Sequence, residues 1–202
     1  MTPFPRCTPR TQAALGLVLC VVLAWPPLRH ALEASMWRHM VLQFPLLMAA
    51  GALLAAALPP RARGAVARWN AHGIAGLVGV AVVLGVLMVP RVLDLALRDG
   101  TIEAVKGAAL VLAGAALRLS WRAAGLVVQG FFLGNMLPMT AVVGQLYIDA
   151  PLRLCNAYLL DDQARLGQWL IALAVLLALG WLAQVGWWVV RREGAALLPH
   201  EA

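Results

Sequence analysis

The chain of 202 residues is 62% hydrophobic and only 12% charged, with a mean hydropathy of +0.82; a soluble domain is nearer half apolar and a quarter charged. Its formal net charge is +7, but the arginines fall between apolar runs. That placement excludes a basic, aromatic-rich nucleic-acid surface and reads as membrane topology and headgroup contact. Cys7, Cys20 and Cys155 show no CxxC spacing, so neither a disulfide framework nor a redox pair is supported.

The first apolar run covers 12–28 and follows Arg6 and Arg10. A positive start, an apolar core and small residues ending at Ala34 also suit a cleavable signal segment. We expect a retained helix, because the core merges into Trp25-Pro26-Pro27 and Leu32 is too large for its place before such a cut. The second run, 39–58, is closed by Pro59-Pro60 and the basic loop carrying Arg61, Arg63 and Arg68. The third, 72–89, contains Gly73, Gly76, Gly79 and Gly85, small residues that let helices approach closely in lipid. Pro90 and a charged stretch through Lys106 end it.

The remaining runs are 102–120, 123–147 and 166–190, the last closing on Trp187 and Trp188 as an aromatic belt. Residues 107–148 hold only Arg118 and Arg122 as charges and are far too many for one span. A charge at the bilayer centre costs about 2.5–3.5 kcal/mol on insertion scales, so these arginines, flanking Trp121, mark an interface where the chain turns. The expected fold is therefore all-α, a single polytopic transmembrane bundle of about six helices over 1–202.

Six helices place the loops on alternate sides. Nine basic residues (Arg6, Arg10, Arg61, Arg63, Arg68, Arg118, Arg122, Arg191 and Arg192) fall on one side and seven on the other, with seven of the nine acids on the second. The positive-inside rule then puts both termini in the cytoplasm of a bacterial-type inner membrane.

Three segments can carry chemistry. Met36, His39, Met40 and Gln43 are spaced i, i+3, i+4, i+7 at the outer end of the second helix and share one face. Thioether and imidazole suit Cu(I), while the same pattern equally serves helix packing. The fifth helix carries Met136 and Met139 around Pro138, which can approach that stripe or merely accompany a kink. The last outer loop reads Tyr158 through Asp161-Asp162-Gln163 before the sixth helix. Its acids suit helix capping, and one of them suits metal capture or partner docking. HExxH, GxSxG, a P-loop and an acidic pair inside a span are all missing, so no enzyme is expected.

Two of these segments resemble the CtaG-type membrane proteins that help assemble cytochrome c oxidase. His39-Met40-Val41-Leu42-Gln43 is similar to a His-Met-x-x-His element opening an early helix. Tyr158 through Asp162-Gln163-Ala164-Arg165-Leu166-Gly167-Gln168-Trp169 is similar to a Tyr…Asp-Gln…Gly…Trp stretch before a late helix. The likeness loosely covers residues 35–190. It departs at Gln43, where the family often has a second histidine, and near Glu103 and Lys106, where histidines are missing. The resemblance implies an accessory factor that handles copper at the outer face and supports the metal reading of Met36, His39 and Met40, with Met136 and Met139 as further candidate ligands. The lipid bilayer and oxidase subunits or a copper chaperone would be its partners. A structural membrane subunit without metal is the alternative. A transporter is disfavoured by the expected lack of buried ionisable residues and broken half-helices.

Overall fold

The computed structural model describes residues 8–196, with side chains through Arg191. Arg6, Cys7 and the Arg192 side chain named above lie outside that description. Every regular element among the described residues is helical, with no strand. Three helices are long and apolar enough to cross a membrane, or up to five if each of two bent pairs counts as one span.

Proline decides most of the breaks, because it fixes φ and removes the N–H that a continuing helix needs. Helix α1 (Pro9–Ala24) starts on the Thr8 side chain, whose Oγ1 accepts from the Thr11 amide at 3.3 Å. It stops at Trp25, and Pro26 opens α2 (Pro26–Glu33) at 71° to it. The first run is thus a bent pair, where a single helix over 12–28 was expected. A π-helical segment (Arg38–Gln43) leads into α3 (Phe44–Leu54), and a short 3₁₀ turn ends at Ala57 before Pro59-Pro60. The basic loop itself is helical, α4 (Pro60–Trp69), and bends by 84° into α5 (Ile74–Leu87). Gly73 makes that corner with φ 69°, a left-handed conformation that a side chain would strain. The charged stretch after Pro90 is also helical, as α6 (Pro90–Arg98).

Asp99 then caps α7 (Gly100–Asp149), accepting from the amides of Thr101 and Ile102 at 2.7 and 3.4 Å. Fifty helical residues would extend about 75 Å if straight. They do not, because Gly125 has φ 62° and ψ 177° and divides α7 into two arms. Contacts along α5 show that the second arm folds back. Gly76, at its start, lies against Ser120 just before the break. Met88, at its end, accepts a 2.9 Å hydrogen bond from Tyr147, near the far end of the second arm. The turn falls at Gly125, a few residues beyond the Arg118–Arg122 segment where it was expected. The helix continues through Trp121 and breaks only where a residue without Cβ permits positive φ. The last helix, α8 (Leu160–Ala196), begins six residues before the expected 166, so Asp161 and Asp162 lie in its first turn.

The first arm of α7 packs on α3 and α5, and the second arm packs on α8. A Cβ on Gly51 would overlap the Val111 backbone, and one on Gly114 would overlap that of Met48, so α3 and α7 touch main chain to main chain. Gly144 and Gly167 do the same for the second arm and α8. Of the glycines expected to bring helices together in the third run, Gly73 and Gly76 do so against Ser120 and Ala124. Gly79 and Gly85 face open space. Met36, Met40, Phe44, Leu93, Leu110, Tyr147, Cys155 and Leu166 belong to the hydrophobic core at the end where α2, α6 and the 150–159 loop meet.

A buried charged network as the candidate functional site

The π-helical segment sits where the chain leaves α2, and such segments recur at functional sites because they re-aim side chains. Met36, His39, Met40 and Gln43 are all buried, with relative exposures of 0, 0, 5 and 1%. The imidazole is held at both nitrogens. Lys106 Nζ, from the first arm of α7, lies 2.6 Å from Nε2, and the Tyr158 hydroxyl lies 2.9 Å from Nδ1. An ammonium only donates, so Nε2 accepts, the proton sits on Nδ1, and Nδ1–H donates to the tyrosine oxygen. The tyrosine O–H in turn donates to the Glu33 carbonyl oxygen at 2.9 Å. The hydrogen bonds run one way, from Lys106 through His39 and Tyr158 to the end of α2.

Lys106 is the centre of this arrangement. It is 2% exposed, and its ammonium lies 2.6 Å from Glu103 and 3.7 Å from Glu33, with Gln43 Oε1 accepting at 3.3 Å. Arg29 lies 3.7 Å from Glu33 on the outer flank. A buried ion costs several kcal/mol to desolvate, and opposite charges with complete hydrogen bonding offset that cost. Two carboxylates, one ammonium and one guanidinium gather here, with Arg29 Nε and one Glu103 oxygen paired by charge but making no hydrogen bond. The expectation that no ionisable residue is buried is therefore wrong at Lys106. Two helix pairs are also bent, by 71° and 84°.

The late segment closes over this centre. Asp162 accepts from the Ser35 hydroxyl at 2.6 Å and from the Met36 amide, so it caps the facing helix rather than its own. Trp37 and Trp169 stack with centroids 5.9 Å apart. Gln163 is buried, accepting from the Leu154 amide at 2.8 Å and donating to the Tyr147 carbonyl at 3.1 Å. Asp94, unnoticed in the sequence, accepts from the amides of Asn156 and Ala157 at 2.9 and 3.2 Å and pins the loop. Burial, and then the nearby Glu33 carboxylate, push the Tyr158 phenol above its usual range, so it stays a donor. Asp161 is exposed and lines, with Arg38, Tyr158, Asp162 and Arg165, a cavity of about 560 Å³ above the network. A second cavity, about 310 Å³, reaches Glu33 and Glu103 from the side of α6.

The five expected copper ligands stand in different surroundings. Met36 and Met40 are part of the hydrophobic core, Met136 lines a different cavity that Met40 also touches, and Met139 is 55% exposed. Both His39 nitrogens are engaged within the protein. The donor atoms of Glu33, His39 and Glu103 do lie within 4.8 Å of one another. Two carboxylates and one imidazole are a harder set than Cu(I) prefers, and the Lys106 ammonium already stands among them.

No protein-family model, curated protein or solved structure matches the chain. The two segments that carry the resemblance, 39–43 and 158–169, are nonetheless direct neighbours in the fold. They are joined by the His39–Tyr158 hydrogen bond and the Trp37–Trp169 stack.

Proposed function

We propose that this chain is a multi-pass inner-membrane protein with both ends cytoplasmic, serving as an accessory factor in cytochrome c oxidase assembly without turnover of its own. Six crossings follow if the bent pairs and the two arms of α7 are each counted as spans; a helix of 50 residues is more than twice what a ~30 Å hydrocarbon layer requires. The observation that carries the functional reading is the His39–Tyr158 bond at 2.9 Å. It joins two segments 119 residues apart into one closed site, and they are the same two that resemble CtaG-type proteins. Because both His39 nitrogens are engaged within the protein, the proposed role runs through protein contact. The cavity lined by Arg38, Tyr158, Asp161, Asp162 and Arg165 presents both signs of charge to a partner subunit.

Deletion should lower assembled oxidase while its subunits are still made, and Tyr158→Phe or Arg165→Glu should do so partially with the protein still present in the membrane. Normal oxidase assembly after deletion, in copper-replete and copper-poor medium alike, removes this reading. A second reading, a proton-linked carrier, is favoured by one observation: an ionisable cluster around Lys106 is reached by cavities on two sides. It predicts unchanged oxidase on deletion and a proton flux in proteoliposomes that Lys106→Met abolishes.

A further inference from the structure

A third cavity, larger than these two, begins at Met40 and Phe44 beside this network and extends away from it. It holds about 950 Å³, near the top of the ~300–1,000 Å³ range of small-molecule sites. Its walls come from α3, α5, both arms of α7 and α8, and are apolar for most of their length, with Phe44, Met48, Leu84, Phe132 and Leu177 among them. One end reaches Met40 and Thr140; the other opens between Arg63, Arg118 and Arg122 beside Trp121. Met40 and Ala55 both line it, so it follows the helix for about 22 Å, more than half of a ~30 Å hydrocarbon layer.

The three arginines have no carboxylate partner among the described residues. Arg118 donates to the Ala52 carbonyl at 2.9 Å and to Gln12 Oε1 at 2.7 Å, and Arg63 donates to the Ala56 carbonyl. These bonds cap the negative end of α3, which offsets about half a charge. Each guanidinium has five N–H donors, so most of them, and most of the charge, remain available. Arg122 has no hydrogen-bond or ion-pair partner among the described residues. An apolar shaft that ends in uncompensated guanidiniums matches an amphipath with an anionic head.

We infer that this cavity binds one anionic membrane phospholipid, its phosphate held by Arg63, Arg118 and Arg122 and an acyl chain lying along α3. Basic pockets between helices on the cytoplasmic side are the places where anionic headgroups are recognised, and Arg suits phosphate through paired N–H donors. The inference rests on the membrane reading above but not on the oxidase role.

The test is native mass spectrometry of the detergent-solubilised full chain, titrated separately with phosphatidylglycerol and phosphatidylcholine. Retention in membranes after an alkaline wash is measured alongside and reports on the membrane reading alone. The expected result is preferential retention of one phosphatidylglycerol, by about ten-fold or more. Arg122→Gln, an exposed position that leaves the α3 cap untouched, should reduce that preference about five-fold, on the order of one basic contact. Leu133→Trp, which fills the shaft, should weaken both lipids. Equal retention of the two lipids, an unchanged preference in Arg122→Gln, or displacement of the lipid by millimolar inorganic phosphate would each overturn the inference.

Discussion

The two ends of the bundle handle charge in opposite ways. Around Lys106 the charges are buried and answered within the chain, by Glu103 and Glu33 and by the lone pair of His39. Around Arg118 and Arg122 they are exposed and, among the described residues, answered only by neutral carbonyl and amide oxygens or by nothing. Internal pairing makes the first end a structural unit, in which removing one member strands the rest. The lack of pairing makes the second end a surface that depends on what it meets. The comparison separates charges that hold the chain together, at the first end, from charges left exposed, at the second.

Lys106→Met tests this separation most severely. It leaves two carboxylates and the His39 acceptor without their cation, a change that typically costs 3–5 kcal/mol when a buried pair is broken. Thermal unfolding in detergent should show a larger loss than Gly114→Ala or Tyr158→Phe produces. Adding Glu33→Gln and Glu103→Gln should recover most of it, since burial without charge is far cheaper. If Lys106→Met unfolds no earlier than Arg122→Gln, the two ends do not differ in the way described.

Gly114→Ala is next. The added methyl would overlap the Met48 backbone, and overpacking of this kind costs about 1–3 kcal/mol. Gly79→Ala, with open space at the same kind of helical position, should change stability little or raise it slightly. Tyr158→Phe removes the bond to the Glu33 carbonyl and the acceptor for His39, worth about 1–2 kcal/mol together. His39→Ala combined with Tyr158→Phe should cost less than the sum of the two changes, as members of one network do.

The apolar runs made the helices legible, because stretches this long and this free of charge have no other stable form in lipid. His39, Tyr158 and Asp162 were also legible, since residues of their types next to helix ends suggest chemistry. Lys106, Glu33 and Glu103 were missed because they stand at the edges of apolar runs, where charge ordinarily faces an interface. One signal was available. Lys106 falls on the stripe that continues through Leu110, Ala113 and Gly114, spaced i, i+4, i+7, i+8, and those residues are buried. A lysine in register with an inward face needs an internal partner. Glu103 is three residues away, but the other partners lie 67 residues away at His39 and further still at Glu33, a pairing no local pattern reveals. The copper expectation met a related limit: spacing put donors on one helical face but could not show that a lysine from another helix reaches the imidazole.

Cys155 gives the sharpest check on how closed the network end is. The thiol is fully buried beneath the loop that Asp94 pins, and its Sγ lies 3.5 Å from the Pro90 carbonyl. Burial, and then the negative charge of Asp94, push it from 9.0 up to about 12. The thiolate is the reactive form, so at pH 9 the folded protein should alkylate at Cys155 several hundred-fold more slowly than the unfolded chain, as about three pH units imply. Peptide mapping after iodoacetamide treatment separates this site from Cys20. The sign of the linked stability follows from proton binding. Between pH 9 and about 12 the folded state holds this proton and the unfolded state releases it, so the contribution is complete below pH 9 and falls as pH rises through that window. Cys155→Ser, which carries no titrating group there, should show a shallower loss of stability over the same window. Equal slopes for the two proteins, or prompt alkylation of Cys155 at pH 9 under native conditions, would mean that the loop opens and that the network beneath it is within reach of solvent.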